Sequence, residues 1–315
     1  MTPQDHDRIL AIAPHIGGPT TVRCYRCPDE ENGAVARFAQ TLKGALPQLD
    51  LRSEALAAGQ ISYLEIGEGL RSAWVPKGDK LSLFLKALVW ASGGAALPPI
   101  AIDPPQLPAA IRLYLADACP HCHQVLKMLL PLAFVDPRIR LTLIDAQVHA
   151  AQSEKDAIRS VPTTILDDFR WSGTFPLEEL VNLIGRRSPV NLGPTALEMM
   201  LADGQAEKLA ELMTAEGSIF PAFFDVATHP LWSVRLGALV VVETLVEIAP
   251  RLAATLAAPL WERYPRLGTA ARGDLIYLLG EIGAVALREE LGALYETETD
   301  PELKDALSET LEKLT

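Results

Sequence analysis

Four cysteines stand out in the 315-residue sequence because they form two pairs of the same spacing, Cys24 with Cys27 and Cys119 with Cys122. In a protein kept in a reducing compartment, C-x-x-C spacing indicates redox or metal chemistry more often than a structural disulfide. The residues around the two pairs differ, so each pair needs its own interpretation.

The second pair encloses Pro120 and His121. If Cys119 follows the strand-like run 111–115 and opens a helix, its sulfur lies among unpaired backbone N–H groups at the positive end of the helix dipole, which favours the thiolate. A thiolate attacks disulfides, and Cys122, on the same helical turn, can resolve the mixed disulfide. Pro120 suits a first helical turn, and a protonated His121 would stabilise the reduced pair.

The segment around this pair alternates between strand and helix patterns. Strands are predicted over residues 111–115, 140–144 and 163–166, and helices over 119–134, 152–159 and 175–184. Asp167 and Asp168 are predicted in the turn of a closing hairpin. The order βαβ–α–ββ–α predicts an α/β fold with a mixed sheet and helices on its faces.

This arrangement resembles the thioredoxin fold, with a strand, the C-P-H-C loop and a helix, and later Val161-Pro162 opening a strand. The resemblance implies that Pro162 is a cis proline facing the cysteine pair and that the main chain of Val161 pairs with an extended substrate peptide. The C-P-H-C loop is similar to that of periplasmic disulfide-donating oxidases, but their large helical insertion is not visible here.

The first part of the chain repeats the pattern, since Val22–Arg26 matches the run 111–115 lying 89 residues later. Over residues 10–187 the chain resembles tandem thioredoxin-fold proteins: the protein disulfide oxidoreductases and the N-terminal region of the flavoprotein subunit of alkyl hydroperoxide reductase. The segments LFLKALVWASGG, IRLYLADACPHC and DPRIRLTLID carry this resemblance. In the alignment Glu30 and Gly33 stand where Cys119 and Cys122 stand, and Ser62 stands at the place of Pro162. The first copy is therefore predicted to be without redox chemistry.

The sequence also departs from these relatives. No glycine-rich dinucleotide fingerprint follows a strand, which predicts no flavin, nicotinamide or other cofactor of its own. Leu113 replaces the buried acid of thioredoxins, and Ala118 replaces the tryptophan before the first cysteine. Proton handling is then expected to fall to His121, Asp117 or water.

Other interpretations compete for the cysteines. The run from Cys119 to His123 matches C-x-x-C-H, the attachment pattern of c-type haem, although the strand–helix context and Pro162 argue against it. Cys24 and Cys27 are expected within a strand, pointing to opposite faces. The alternatives for these two are a weak second redox pair, or a zinc site of four thiolates formed with Cys119 and Cys122.

Proline-rich and glycine-rich stretches divide the chain. Residues 92–108 hold five prolines and two glycines without a helical or alternating pattern, and a second break lies at 185–194. The predicted domains are a degenerate thioredoxin-like copy (1–95), a linker (96–108), a redox-active copy (109–187) and an all-α, HEAT-like repeat domain (188–315).

The last domain is predicted from three helical units with matching basic positions, Arg235, Arg272 and Lys304, each burying its apolar face against a neighbour. The net charge of the chain is −12, and nearly all of it falls in this domain, which argues against nucleic acid as a partner. The acidic surface either keeps the protein soluble or docks a basic partner. Four aromatic side chains near its start are expected in the core, with a peptide-binding patch as the alternative: Phe220, Phe223, Phe224 and Trp232.

Together these patterns predict a thiol–disulfide oxidoreductase that acts on protein or peptide substrates and is reduced by a separate reductase. The alternatives are an interaction scaffold with a redox switch and an electron shuttle to a peroxidase. A cytoplasmic location without membrane contact is expected, because the N-terminus shows no export signal and the most apolar run, 236–246, is short and interrupted by Glu243.

Overall fold

The computed structural model describes residues 1–30 and 33–314. Contacts divide the chain into two compact units, Met1–Arg186 and Arg187–Thr315. The first unit is α/β and the second is helical. The domain boundaries predicted from the sequence stay predictions, but both halves of residues 1–186 belong to the same compact unit.

Eight strands of the first unit form one mixed sheet with the order β2-β1-β3-β4-β6-β5-β7-β8. Their bounds are β1 (Thr20–Arg26), β2 (Leu49–Ala55), β3 (Tyr63–Ile66), β4 (Leu70–Ala73), β5 (Ala109–Leu115), β6 (Ile139–Asp145), β7 (Thr163–Leu166) and β8 (Phe169–Ser172). The strands predicted from alternating patterns all occur, each within two residues of its predicted bounds. Asp167 lies in the β7–β8 turn with a φ of 52°, a conformation that aspartate tolerates better than most residues.

The two halves of the sheet pair their strands in the same way. In the first half β1 runs parallel to β2 and antiparallel to β3, and Val22 faces Ile66. In the second half β5 runs parallel to β6 and antiparallel to β7, and Ile111 faces Leu166. In this register Ser62 directly precedes β3 and Pro162 directly precedes β7, so the two residues occupy equivalent positions. The halves join where β4 runs parallel to β6.

Among the described residues of the first unit, six α-helices pack around the sheet. They are α1 (Pro3–Ala11), α2 (Ala34–Ala45), α3 (Gly78–Ala91), α4 (Pro120–Leu129), α5 (Ala150–Lys155) and α6 (Leu177–Arg186). Short 3-10 helices span Ala13–His15, Pro28–Glu30 and Leu130–Phe134. The last of these replaces the end of the long helix predicted over 119–134, because Pro131 has no N–H to donate to an α-helical bond.

One apolar core runs through both halves of this unit. Phe38 and Phe84 of the first half and Leu113, Leu126 and Ile184 of the second are at most 2% exposed and belong to the same cluster. Each such side chain contributes about 1.5–3 kcal/mol when it leaves water. The continuous sheet and core hold the second half in a fixed position against the first.

The second unit contains nine helices over its described residues. They are α7 (Pro194–Ala202), α8 (Ala206–Glu216), α9 (Phe223–Ala227), α10 (Trp232–Ile248), α11 (Pro250–Ala254), α12 (Ala257–Trp261), α13 (Thr269–Ile282), α14 (Arg288–Thr297) and α15 (Pro301–Lys313). Short 3-10 helices span Pro189–Asn191, Tyr264–Arg266 and Val285–Leu287. The three repeated sequence units lie in α10, α13 and α15, of which α13 packs against both others.

Buried charge links two of these helices. Arg235 of α10 is 3% exposed, and its Nε lies 2.6 Å from Oδ2 of Asp274 on α13. Its Nη1 donates to the carbonyl oxygens of His229 and Pro230 at 2.7 and 2.9 Å. These partners satisfy the guanidinium, as a buried cation requires.

The aromatic cluster predicted for the core of this unit is only partly correct. Phe220 and Phe223 are fully buried, but Trp232 is 60% exposed. Trp232 occupies the first position of α10, away from the buried face of that helix, so most of its side chain stays in solvent. Over residues 1–30 and 33–314, no helix combines the length and the apolar character needed to cross a membrane.

Candidate active site

The cysteine pair lies where β5 gives way to α4. Residues 116–119 connect the two elements, and Cys119 caps the helix, with its sulfur accepting the backbone N–H of Cys122 at 3.2 Å. Pro120 occupies the first helical position, where a missing N–H is harmless. The sulfur of Cys119 therefore lies at the positive end of the α4 dipole.

The second predicted element of the site, Val161-Pro162, lies beside the cysteine. Because β7 runs antiparallel to β5, the residues before β7 reach the end of β5, where the cysteine loop begins. The Val161–Pro162 peptide bond is cis, and the Cys119 thiol lies 3.4 Å from the carbonyl oxygen of Val161. The Pro162 carbonyl accepts the N–H of Gly173 at 2.8 Å, which ties this segment to the end of β8.

The two sulfurs have different surroundings. Cys119 is half-buried, whereas Cys122 is fully buried among apolar side chains. The pKa of the Cys122 thiol is raised to about 12, mainly by burial and to a smaller extent by its hydrogen bond to Cys119. The backbone at Ala116 and the charge of Lys80 act in the opposite direction and lower this pKa. One thiol is open to an incoming disulfide, and the other is held neutral and out of solvent.

The predicted tuning residues lie on the surface. Pro120 and His121 are exposed at the start of α4, so His121 can act on an approaching substrate as well as on the pair. Leu113 is fully buried in β5, and the thioredoxin-type acid that it replaces has no counterpart at that position. Ala118 is exposed.

The first half of this unit supplies three residues to the site that sequence reasoning missed. The Trp74 indole N–H donates to Oδ1 of Asp117 at 2.9 Å, and the Lys77 ammonium lies 3.1 Å from Oδ2. Lys80 of α3 is 9% exposed and donates to the Asp117 backbone carbonyl. Asp117 thus joins the cysteine loop to the other half. Its partners lie 37 to 43 residues away in sequence, and no local pattern marks them.

An aromatic pair also lies near the proline. Trp171 of β8 and Phe175 stack with ring centroids 5.0 Å apart and planes 20° apart. Both are half-buried and flank Gly173, whose N–H binds Pro162. Sequence reasoning missed this pair, although two aromatics around a glycine that follows a strand could have indicated it.

The equivalent loop of the first half has a different length. Seven residues, 27–33, separate β1 from α2, against four, 116–119, between β5 and α4. Gly33 rather than Glu30 therefore caps the helix and stands where Cys119 stands, which corrects the ungapped alignment. Neither alignment places a cysteine at the helix start of this half.

The first cysteine pair lies in and directly after β1, in the first half of the unit. Cys24 is in β1, but Cys27 lies just after the strand, which corrects the prediction that both are strand residues. Both are free and at most 2% exposed. The backbone N–H of Cys27 donates to Oγ of Ser62 at 3.0 Å, and its sulfur lies 3.6 Å from Oδ2 of Asp29.

A zinc site would need three or more ligands in one place. Over the described residues 1–30 and 33–314, His, Cys, Asp and Glu side chains form no such group. The thiolate cluster weighed as an alternative for the four cysteines thus gains no support from their positions.

No family model matches the chain, and no curated protein matches it. Among solved structures it is similar to the alkylhydroperoxide reductase protein AhpF from Enterococcus faecalis, with a TM-score of 0.49 and 13% identity over 58% of this chain and 99% of that one. It is also similar to a protein disulfide oxidoreductase from Aeropyrum pernix, with a TM-score of 0.46 and 12% identity over 58% of this chain and 92% of that one. Both are proteins of the kinds that residues 10–187 resemble in their sequence.

Proposed function

We propose that the chain is a thiol–disulfide oxidoreductase that exchanges disulfides with protein or peptide substrates. The asymmetry of the cysteine pair carries this proposal. The half-buried Cys119 sulfur caps α4 beside the Val161 carbonyl, whereas Cys122 is fully buried. A substrate disulfide can reach Cys119, and Cys122 contacts Cys119 on the same helical turn.

The reaction has two balanced steps. In the first, the Cys119 thiolate attacks a substrate disulfide, forms a mixed disulfide and releases one substrate thiolate, which takes up a proton. In the second, the Cys122 thiol loses its proton and attacks the Cys119 sulfur. The second substrate thiol leaves, and two electrons have passed from the pair to the substrate. The reverse steps donate a disulfide. Turnover in either direction needs a separate dithiol or disulfide partner.

The substrate binds along the edge beside the cysteine. The Val161 main chain offers polar groups to an extended peptide, in the manner of an added strand. Trp171 and Phe175 provide apolar surface next to it, and Pro120 and His121 tune the pair. Substrates with an apolar residue near the reacting cysteine are therefore favoured.

The wider organisation is part of the same proposal. Residues 1–95 and 109–187 are two copies of a thioredoxin-like fold, of which only the second carries the chemistry. The matching strand registers of the two halves support this. Residues 188–315 form a HEAT-like array, which the side-by-side packing of α10, α13 and α15 supports.

An experiment that traps the mixed disulfide tests the proposal. The variant Cys122→Ser removes the resolving thiol, so mixed disulfides through Cys119 should accumulate when the full-length protein meets oxidised protein substrates. Non-reducing electrophoresis and mass spectrometry identify them. The matched control Cys119→Ser should trap nothing, since the three remaining thiols, those of Cys24, Cys27 and Cys122, are buried.

A turnover assay complements the trap. Wild-type protein should accelerate the reduction of insulin by dithiothreitol, and Cys119→Ser should abolish that acceleration. If Cys122→Ser traps no substrate and Cys119→Ser equals wild type, the pair is not a redox centre, and the scaffold interpretation takes its place.

A further inference from the structure

The helical unit carries an apolar stripe on its surface that the redox chemistry does not use. Trp232, Leu236 and Val240 of α10 are 60%, 41% and 38% exposed. At 100° per residue, they and the exposed Glu243 and Glu247 fall within an arc of about 80°. The opposite side of α10 holds its buried residues, which are Arg235, Ala238, Val241, Val242 and Leu245. The stripe is therefore distinct from the core of the unit.

Acidic residues lie in the same arc as the stripe. Glu243 and Glu247 are exposed and follow Val240 along α10 on the same side of the helix. Elsewhere in the unit, α8 and α15 expose further carboxylates on the sides opposite their buried residues. The carboxylates beside the apolar residues are therefore those of α10 itself.

Few basic groups compensate for these acids. Residues 187–315 contain 20 acidic and 10 basic side chains. Arg235 is buried and forms an ion pair with Asp274. At the α13–α15 junction, Lys313 pairs with Glu281 and lies 4.8 Å from the centre of the Tyr277 ring. A contiguous exposed apolar patch on a folded protein marks an interaction site, and its acidic surroundings select the charge of what binds there.

We propose that the stripe Trp232–Leu236–Val240, with Glu243 and Glu247 in the same arc, docks a basic amphipathic helix of a partner protein. The apolar side of that helix covers the stripe, and its Lys and Arg side chains reach the carboxylates. Anionic membranes and nucleic acids are repelled by the same carboxylates. The surface gives the oxidoreductase a second point of attachment, separate from the cysteine edge.

A synthetic peptide tests the surface directly. Full-length protein is titrated by calorimetry with a helical peptide of leucine and lysine whose leucines form one stripe. A peptide of the same pattern with glutamate in place of lysine is the control. The lysine peptide should bind and the glutamate peptide should not. Its affinity should fall as salt rises, since screening weakens surface charge pairs.

Variants locate the binding. Leu236→Lys should weaken binding of the lysine peptide by at least about threefold, because it removes the burial of a side chain that is 41% exposed and places a positive charge opposite the lysines of the peptide. Val285→Lys is the matched control, since Val285 is 62% exposed outside the stripe, and it should bind as wild type does. Trp232→Gln repeats the test at a second stripe position. Insulin reduction should be unchanged in all three variants.

Four results would overturn the proposal. The first is that Leu236→Lys and Val285→Lys bind the lysine peptide equally well, and the second is that the glutamate peptide binds wild-type protein as tightly as the lysine peptide does. The third is that the lysine peptide does not bind at all. The fourth is that neutral lipid vesicles bind to the protein through the stripe. A dimer of the chain that sedimentation detects and Leu236→Lys dissociates would also overturn it, since the occupant would then be a second copy.

Discussion

The burial of Cys122 predicts how the second step of exchange depends on pH. In the reduced pair the pKa of Cys122 is raised to about 12. In the mixed disulfide the hydrogen bond to the Cys119 thiol is lost, but burial, the largest cause, still holds the pKa of Cys122 above its ordinary value of 9.0. Each unit of pH below that pKa raises the deprotonated fraction tenfold, so the rate of resolution should rise about 100-fold between pH 6 and pH 8, with no plateau below pH 9.

The two steps can be followed separately with an aromatic disulfide such as 5,5′-dithiobis(2-nitrobenzoate). Attack by Cys119 releases the first coloured thiolate, and attack by Cys122 on the mixed disulfide releases the second. Cys24 and Cys27 are at most 2% exposed and should react far more slowly. Stopped-flow absorbance at pH 6 to 9 then yields both rates. A second phase that levels off below pH 9 would refute the claim that burial holds Cys122 neutral.

A substitution in the first half provides an independent arm of this experiment. The charge of Lys80 lowers the pKa of Cys122, so Lys80→Met should slow the second phase at every pH and leave the first unchanged. Lys77→Met is the control, because Lys77 is 57% exposed and pairs with the Asp117 carboxylate. Equal effects of the two substitutions on the second phase would contradict the assignment to Lys80.

Further predictions concern stability, measured by urea unfolding. Asp117→Ala should lower the free energy of unfolding by about 1–3 kcal/mol, because it leaves the buried indole N–H of Trp74 without an acceptor. Asp117→Asn keeps an acceptor and loses only an exposed ion pair, so it should lower the free energy of unfolding by less than about 1 kcal/mol. Gly69→Ala should cost about 3 kcal/mol or more, since its Cβ would lie 1.9 Å from the carbonyl oxygen of Ala133. Gly44→Ala meets nothing within 4 Å in α2 and should stabilise by up to about 1 kcal/mol. Because folding raises the pKa of Cys122 from 9.0 to about 12, burying its neutral thiol should stabilise the protein fully below pH 9 and progressively less from pH 9 to 12.

Local patterns predicted most of the first unit. The strand over 163–166 was predicted to the residue, and the helix after Cys119 begins one residue later than predicted. Such elements follow from the period of apolar residues and from proline and glycine positions, which act over a few neighbouring residues. The prediction failed at three places. Helix α5 spans Ala150–Lys155 rather than 152–159, α4 ends before Pro131, which interrupts a helical run, and the loop 27–33 has three extra residues that an ungapped alignment cannot see.

The partners of the cysteine loop were beyond the reach of such patterns. Trp74, Lys77 and Lys80 lie in the first half of the α/β unit, and Asp117 lies in the second half. They come together because β4 pairs with β6 in one continuous sheet. Likewise Trp232 was expected in the core from its apolar character, and the packing of α10 leaves it exposed. Contacts between distant segments depend on how whole elements pack, which no short stretch of sequence encodes.

The sequence by itself determined which residues can do chemistry. C-x-x-C spacing places two thiols on one helical turn whatever surrounds them, and Val161-Pro162 marks the strand that follows. Only the tertiary structure decided how the two thiols differ. Cys122 is buried and neutral while Cys119 is half-open, because the free energy of a thiolate depends on desolvation and on charges such as that of Lys80, which the fold brings in from distant parts of the chain.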